Sequence, residues 1–228
     1  MSAAPTGRRP LTLALDAATY TGSVALLDGR ELVGEREAAM RGADEERLMP
    51  AVADLLRETG AAPSDVGAVV CGGGPGSFTS LRIAAAIGKG VATARQIPLR
   101  TVSSLWLVPA GARPAFAPGE YLVVLDAMRG EWFAATVVVD AQGRPGAPGP
   151  WALTALAVLE ARAEAGARVV GPAPFGGHLP HARGVAQWYE PGPALGAPVD
   201  LDAWEPDYGR KAQAQVTWEA AHGRPLEP

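Results

Sequence analysis

The chain has 228 residues, a formal net charge of −4 and a single cysteine, Cys71. A chain of this length forms one large domain or two small ones, and its weakly negative charge provides no overall basic field that would attract nucleic acid. The single cysteine excludes an internal disulfide and a cysteine metal cluster, which is typical of a reducing compartment. No stretch approaches the roughly 20 apolar residues of a membrane span, so we expect a cytoplasmic protein without membrane contact.

The first forty residues predict three antiparallel strands, because apolar residues alternate and Asp28-Gly29 is a strong hairpin signal. The first of these strands ends on Asp16, which is followed by Thr19 and Gly22. Actin/hexokinase-type ATPases begin in the same way, with the Asp and the turn amides facing metal and phosphate. In the alternative, which is at least as consistent with so short a pattern, Asp16 and Thr19 only satisfy the amides of their own turn. The predicted strands are Leu11–Asp16, Ser23–Leu27 and Leu32–Arg36.

The first predicted helix covers Asp44–Thr59 and ends before Gly60. Its acidic first residues suit the positive end of the helix dipole. They could also bind a cation, but a solvated helix start is the better interpretation. Apolar residues recur along one face at helical spacing. These residues are Leu48, Val52, Leu55 and Leu56.

A glycine-rich turn at Gly72–Gly76 joins a short apolar strand, Ala68–Cys71, to a second helix that extends to Ala94. Free amides at the start of a helix attract anions, so the turn could hold a phosphate, with Arg82 in support. However, the spacing fits neither the Walker A nor the dinucleotide-binding pattern, which favours a simple tight turn. The helix carries two rows of small residues four apart, which allow close approach of another helix. The rows are Ala84, Gly88, Ala92 and Ala86, Gly90, Ala94.

The second half of the chain repeats the strand–Asp–turn–strand pattern, because a strand ends on Asp126 and another begins near Trp132. A duplication of this kind is typical of two related actin-like subdomains. His178 and His181 are three apart and could ligate a metal, although a solvated pair fits an irregular Gly/Pro stretch better. Beyond this repeat, we predict strands at Ile97–Val102 and Arg168–Gly171 and helices at Leu105–Ala110, Thr154–Ala165, Asp200–Trp204 and Lys211–Ala221.

Familiar catalytic patterns are missing from the sequence: it has no Gly-x-Ser-x-Gly elbow and no His-Glu-x-x-His motif. Four carboxylates could in principle support acid–base chemistry, but the sequence alone does not bring them together. They are Asp16, Asp44, Asp126 and Glu131.

The chain resembles the TsaB (also called YeaZ) family over about residues 11–212. Its Gly74-Pro-Gly-Ser-Phe-Thr-Ser-Leu-Arg-Ile83 is similar to the family signature Gly-Pro-Gly-Ser-Phe-Thr-Gly-Leu-Arg-Ile, and Leu13–Thr19 is similar to the family's opening motif. Three shorter landmarks follow in the family's order, namely Val102–Leu105, Asp126–Glu131 and Pro206-x-Tyr208-x-Arg210. The chain has Asp44, Ser80 and Ala84 where the family often has His, Gly and Gly.

The resemblance implies an α/β fold of two actin/hexokinase-like subdomains, with mixed five-stranded-type sheets flanked by helices. The expected division is 1–103 for the N-terminal subdomain and 104–228 for the smaller C-terminal one, whose last helix is expected to pack back on the first. It also implies a non-catalytic subunit without cofactor or metal that supports threonylcarbamoylation of adenosine 37 in tRNA. Its partners would be a catalytic TsaD-like subunit and a TsaE-like ATPase, with tRNA contacted only through the complex and a homodimer formed when the chain is alone.

The predicted partner interface combines the apolar face of the first helix with one side of the second helix. We expect its members to be Leu48, Val52, Leu55, Leu56, Phe78, Thr79, Leu81, Arg82, Ala85, Gly88, Lys89 and Ala92. The alternative function is an independent ATP-dependent enzyme of the actin/hexokinase superfamily or an M22-type metallopeptidase. For that alternative the nucleotide candidates are Asp16, Thr19 and Asp126.

Overall fold

A computed structural model of the chain describes residues 9–42, 46–128, 130–188, 197–209, 218 and 221–223. It has an α/β fold with two separate sheets. The strands are β1 (Leu11–Asp16), β2 (Thr21–Asp28), β3 (Glu31–Ala39), β4 (Val66–Gly72), β5 (Leu99–Val102), β6 (Gly119–Asp126), β7 (Glu131–Val139), β8 (Ala152–Ala155) and β9 (Val169–Val170). The helices are α1 (Leu48–Thr59), α2 (Phe78–Arg95), α3 (Ser104–Ala110) and α4 (Leu156–Glu164), with short 3-10 helices at Pro63–Asp65 and Ala182–Trp188.

The first sheet has five strands in the order β3-β2-β1-β4-β5. The first three strands form the predicted antiparallel meander, and β4 and β5 add to it in parallel. The hairpin between β2 and β3 turns at Gly29 and Arg30, one residue later than the Asp28-Gly29 signal indicates. The parallel strands are joined through helices, because a parallel pair needs a crossover connection.

Both faces of this sheet are covered. Successive side chains of a strand point to opposite faces, so Leu13 and Leu15 pack beneath α1 and α2, while Ala14 packs on the other side. That other side is covered by α3 and by the 3-10 helix Ala182–Trp188. Double coverage explains why the central strands are apolar throughout, a pattern typical of buried parallel strands.

The second sheet repeats the topology of the first. Its order is β8-β7-β6-β9, in which β6 pairs antiparallel with β7 and parallel with β9. In the first sheet, β1 pairs in the same way with β2 and β4. In both sheets the third strand leads through a helix, α1 or α4, to the parallel strand. The repeat confirms the predicted actin/hexokinase-like duplication, with four strands described in the second sheet.

Helix α3 joins the two halves. Leu105 and Val108 pack with the second sheet, whereas Trp106 and Leu107 pack with the first. The chain returns to the first sheet after β9, because the 3-10 helix Ala182–Trp188 covers β1, β2 and β3. Residues on both sides of position 103 therefore share a core, and the division 1–103 and 104–228 stays a prediction.

Two predicted elements were wrong in detail. The first two residues of the predicted helix Thr154–Ala165 belong instead to the edge strand β8, which pairs with β7 before α4 begins at Leu156. The predicted helix Asp200–Trp204 is only a turn, closed by the Trp204 amide on the Asp200 carbonyl. Asp44, Arg210 and most of the predicted helix Lys211–Ala221 lie outside the described residues. Within the described part of the chain, no helix is both long enough and apolar enough to cross a membrane.

Candidate functional site

The two rows of small residues on α2 face opposite environments. Gly88 lies against the chain's own sheet, because a Cβ there would sit 3.2 Å from Leu99 Cδ1 and 3.6 Å from Val69 Cγ1. Its neighbours Ala84 and Ala92 are completely buried in the same core. The second row, Ala86, Gly90 and Ala94, is exposed, and a Cβ on Gly90 would meet nothing within 4 Å. The first row thus serves the fold, and the second is free to contact another molecule.

Several residues of the predicted partner interface are core residues instead. Each helix packs on the sheet through a row of apolar side chains at helical spacing. A helix face that contacts a partner shows the same pattern, so the sequence does not distinguish the two. These residues are buried inside the folded chain and cannot contact a partner, so they do not belong to the predicted interface. The residues corrected in this way are Leu48, Val52, Leu55, Leu81, Ala85, Gly88 and Ala92.

The remaining predicted interface residues reach the surface. Phe78 is 36% exposed, and its ring packs 4.5 Å from that of Tyr208 while Arg82 lies over it at 5.3 Å. Thr79 is also exposed. Leu56 and Lys89 are half-buried, since Leu56 packs against the core and the Lys89 ammonium lies 5.7 Å from the Trp204 ring centroid.

Sequence reasoning missed the outer face of α1. Met49 is 43% exposed there, and Pro50 and Ala53 are exposed beside it. An exposed methionine on a helix adjacent to α2 is typical of adaptable contact surfaces. Together with the outer row of α2, it defines what we call the outer face of α1 and α2: Met49, Pro50, Ala53, Phe78, Thr79, Arg82, Ala86, Gly90 and Ala94.

The glycine turn is a tight connection whose amides bind the protein itself. The Gly73 amide donates to the Val102 carbonyl at 2.7 Å, the Gly74 amide to Ser104 Oγ at 3.2 Å, and the Ser77 amide to the Ala18 carbonyl at 2.8 Å. The turn is also packed closely, because a Cβ on Gly76 would lie 2.4 Å from the Ala18 carbonyl oxygen. These amides are committed to internal partners, which favours the simple turn over the phosphate cradle.

Asp16 lies completely buried at the end of β1. Its Oδ2 accepts a hydrogen bond from Ser104 Oγ at 2.6 Å and its Oδ1 accepts one from the Ala18 amide at 3.0 Å. Burial raises the pKa of this carboxyl from 3.8 to about 6, and the two hydrogen bonds limit the rise. A Cβ on Gly72 would overlap Oδ2, so glycine there makes room for the carboxylate. Asp16 therefore links β1, β4 and α3 and is not open to a nucleotide.

The two other nucleotide candidates do meet. Thr19 and Asp126 line a small cavity of about 150 Å³ with Tyr20 and Met128, between the two strand–turn–strand units. Asp126 Oδ1 accepts a hydrogen bond from the Met128 amide at 2.7 Å, and Thr19 Oγ1 accepts one from the Thr21 amide at 3.2 Å. Both side chains thus stabilise their own turns, and the cavity is smaller than usual ligand pockets.

The two histidines are separated by the fold and are not a solvated pair. The His178 ring packs edge-on against Phe116. His181 is buried, its Nδ1 accepts a hydrogen bond from the Arg183 amide at 3.1 Å, and its Nε2 lies 3.5 Å from Glu37 Oε1. Burial, with help from Arg183, lowers the pKa of His181 from 6.5 to about 4, so the ring is neutral at pH 7.

Beside His181, Glu35 of β3 holds the segment that returns to the first sheet. Its Oε1 accepts hydrogen bonds from Arg183 Nη1 at 2.7 Å and from Arg113 Nη1 at 3.1 Å. Its Oε2 is buried without a hydrogen-bond partner and lies 3.9 Å from His181 Nδ1. In the described residues, no three His, Cys, Asp or Glu side chains come together as metal ligands would. Cys71 is completely buried in β4, and burial raises the pKa of its thiol.

A larger cleft of about 410 Å³ opens beside the glycine turn, at the carboxyl ends of β4 and β5. Its lining includes Gly74 of the turn and Ser103 of the β5–α3 connection, together with residues that lie far along the chain. Sequence reasoning did not identify these residues, although a high density of tryptophan after position 150 is a signal. They are Trp151, Trp188, Trp204, Glu205 and Asp207.

Comparison with known proteins identifies the family to which the chain is related. A family model described as "TsaD: tRNA N6-adenosine threonylcarbamoyltransferase" matches residues 39–162. The chain is 34% identical over 131 residues to the tRNA threonylcarbamoyladenosine biosynthesis protein TsaB of Escherichia coli, covering 58% of this chain and 56% of that protein. It is 35% identical over 119 residues to TsaB of Bacillus subtilis, covering 52% of this chain and 51% of that protein. The chain thus spans about half the length of the curated relatives it matches.

Solved structures extend the similarity to most of the chain. YeaZ from Pseudomonas aeruginosa superimposes with a TM-score of 0.69 at 28% identity, covering 87% of this chain and 99% of that one. A Pseudomonas aeruginosa protein described as uncharacterized, with similarity to peptidase YEAZ, superimposes with a TM-score of 0.72 at 28% identity, covering 88% of this chain and 99% of that one. The family model and these relatives together show that the chain belongs to the TsaB (YeaZ) family.

Proposed function

We propose that this chain is a non-catalytic subunit in the biosynthesis of tRNA threonylcarbamoyladenosine, and that it binds a TsaD-like catalytic subunit through the outer face of α1 and α2. The names of its TsaB relatives and the TsaD family model support the pathway. In this proposal the pair recruits a TsaE-like ATPase, tRNA is contacted only through the complex, and the chain forms a homodimer through the same face when alone.

The exposed row of small residues on α2 carries the proposal. A glycine inside a helix lowers its stability by about 1 kcal/mol relative to alanine, so it needs a structural reason. Gly88 has one within the chain, because the sheet leaves little room for a larger side chain. Gly90 has none, since the space around it is open. The approach of another backbone to the row Ala86, Gly90, Ala94 would supply that reason.

The composition around this row suits contact with another protein. Two of the exposed large apolar side chains lie on the same two helices, Met49 on α1 and Phe78 at the start of α2. The row itself carries no charge, whereas Arg82 and Arg95 lie near the two ends of α2. An uncharged centre with apolar and arginine side chains around it is typical of protein–protein interfaces.

The buried state of Asp16 supports a non-catalytic role. In the alternative function, this carboxylate would have to reach a metal or a phosphate. Both of its oxygens accept hydrogen bonds from the chain itself, and its side chain has no exposed surface. Ligand binding there would require Ser104 to move away, along with the glycine turn that it holds.

Co-expression with the host's TsaD-like subunit tests the proposal. We expect the wild-type chain to co-purify with that subunit and to support tRNA modification in a reconstituted assay. Ala86→Arg and Gly90→Arg should abolish co-purification while the isolated chain stays folded, with a melting temperature no lower than that of wild type, because both positions are exposed and arginine is compatible with a helix. The matched control is Ala161→Arg, an exposed alanine on α4, which should bind like wild type.

Two results would contradict the proposal. Retained co-purification of both arginine variants would exclude the outer face of α1 and α2 as the interface. Saturable ATP binding by the isolated chain that Asp16→Asn abolishes would favour the independent enzyme.

A further inference from the structure

The cleft beside the glycine turn lies where α/β proteins commonly bind ligands, outside the carboxyl ends of parallel strands. It is formed by the glycine turn that follows β4, by the end of β5, by the loop before β8 and by the segment that follows the second sheet. Its volume of about 410 Å³ falls within the usual range for small-molecule sites. It is separate from the outer face of α1 and α2, since the two share no residue.

The polar groups of the cleft select against an anion. Among the residues that the structure describes, Glu205 and Asp207 are the only charged ones in the lining, and neither carboxylate forms an ion pair with another of them. The Gly73 and Gly74 amides, which could otherwise bind a phosphate, donate to internal acceptors. Negative charge without compensating amides or cations repels a nucleotide phosphate and attracts a cation.

The apolar groups of the cleft select for an organic cation over a metal ion. Trp151, Trp188 and Trp204 contribute indole rings to its lining. Indole is the side chain that attracts ammonium and guanidinium groups most strongly, and clusters of aromatic rings with carboxylates recognise methylated ammonium ions. One contact in the chain already shows this preference, since the Lys89 ammonium lies 5.7 Å from the Trp204 ring centroid.

The acidic and aromatic groups of the cleft are held in place together. Trp151 Nε1 donates to Asp207 Oδ2 at 3.0 Å, and the Gly209 amide donates to Asp207 Oδ1 at 2.8 Å. The Asp207 amide donates in turn to the Gly73 carbonyl at 2.8 Å, and Trp188 packs 4.7 Å from Trp106. This organisation lowers the cost of ordering the site when a ligand binds.

We propose that this cleft binds an organic cation, an ammonium or guanidinium group, between its indole rings and the carboxylates of Glu205 and Asp207. The cation comes either from a small molecule or from an arginine or lysine side chain of another protein. The site requires no chemical step, and it goes beyond the role proposed for the outer face of α1 and α2.

A pair of ligands of equal shape tests the proposal directly. The indole N–H signals of the ¹⁵N-labelled chain are followed by NMR during titration with choline and with 3,3-dimethyl-1-butanol, its uncharged carbon analogue. Signals of Trp151, Trp188 and Trp204, assigned by Trp→Phe variants, should move saturably with choline. The uncharged analogue should bind at least about tenfold more weakly, because it lacks the cation–π and carboxylate attraction.

Charge-neutral variants provide the second arm. Glu205→Gln should weaken choline binding at least about threefold, whereas Asp202→Asn, an exposed carboxylate outside the lining on the same segment, should leave it unchanged.

N-acetylarginine amide distinguishes the two sources of the cation. If it binds more tightly than choline, the cation is a protein side chain, and if it binds less tightly, the cation is a small molecule. Equal binding of choline and its uncharged analogue, no saturable shift with either cation, or tighter binding of adenosine than of choline would overturn the proposal.

Discussion

Asp16 shows how one residue of a functional motif can serve the fold. In the actin/hexokinase-type pattern its carboxylate would face solvent and ligand, but here it is buried and joined to Ser104 and Ala18. Ser104 Oγ also accepts a hydrogen bond from the Gly74 amide. One hydroxyl thus connects the family signature that begins at Gly74 to Asp16 of the opening motif. The landmarks are far apart in sequence, and the residues that join them are buried together.

Asp16→Asn should make the chain more stable than wild type as the pH rises above about 6. The folded pKa of about 6 exceeds the unfolded value of 3.8, so the carboxyl's contribution is fully present below pH 3.8 and is lost as the pH rises through 6. A difference of about two pKa units corresponds to about 3 kcal/mol. Urea unfolding of variant and wild type at pH 4.5 and 7.5 measures how their difference in unfolding free energy changes with pH. The control is Glu160→Gln, which removes an exposed carboxylate on α4. A constant difference between variant and wild type would contradict this prediction.

Ser104→Ala should lower the free energy of unfolding by about 1–3 kcal/mol, because it leaves a buried amide and a buried carboxylate oxygen without partners. The loss should grow above pH 6, where Asp16 is ionised. Ser103→Ala is the matched control, since Ser103 makes no side-chain cap hydrogen bond at the start of α3. Equal losses for the two variants at pH 7.5 would show that Ser104 has no special role.

At the scale of the element, α2 combines two surfaces within one helix. Its inner row of small residues allows the helix to lie close to the sheet, and its outer row is exposed. The helix has no strong separation of apolar and polar faces, because alanine and glycine occur on both sides. Periodicity therefore identifies two rows, and only the position of the sheet decides which row is buried.

Gly90→Ala should raise the free energy of unfolding by about 0.5–1 kcal/mol, because alanine favours the helix and the added methyl meets open space. Gly88→Ala gains the same helix preference, but its methyl would press on Leu99 Cδ1 at 3.2 Å, so its gain should be smaller or absent. Thermal unfolding of the two variants provides the comparison. An equal gain in stability at both positions would mean that the side chains beneath Gly88 move aside for a methyl group at no cost.

At the scale of the whole molecule, the segment after β9 returns to the first sheet and joins its edge strand to the rest of the chain. Glu35 of β3 accepts hydrogen bonds from Arg183 and Arg113, and the Ala182 amide donates to Ser23 Oγ at 2.9 Å. His181 is buried among these groups. The charged and titratable groups that face its ring are Glu35, Glu37, Arg113 and Arg183.

His181 should oppose Asp16 in the pH dependence of stability. Its folded pKa of about 4 is below the unfolded value of 6.5, so the stability that neutral His181 contributes is present above pH 6.5 and is lost as the pH falls towards 4. The shift corresponds to about 3 kcal/mol, similar in size to that of Asp16 and opposite in sign. In His181→Asn, stability relative to wild type should therefore rise as the pH falls from 7 to 4.5.

Urea unfolding of the wild type, Asp16→Asn, His181→Asn and the double variant across this range separates the two groups. The single variants should deviate from wild type with opposite slopes, and the double variant should run nearly parallel to wild type. If the free energy of unfolding of both single variants changed with pH in parallel with wild type, the opposing effects of Asp16 and His181 would be refuted.

The sequence alone determined most of the element order, although not the edge strand β8, and it determined the duplicated strand–Asp–turn–strand units and the tight glycine turn, because these depend on local periodicity and backbone preference. The tertiary structure decided that Gly88 faces the sheet and Gly90 faces outward, that Asp16 is sealed by Ser104, and that three tryptophans and two carboxylates meet in one cleft. Those outcomes depend on packing between segments that are distant in the chain, as with Asp16 and Ser104, whose separation is 88 residues. Local pattern cannot specify which of two similar helix faces the sheet will cover, since that choice is made by the fit of the whole core.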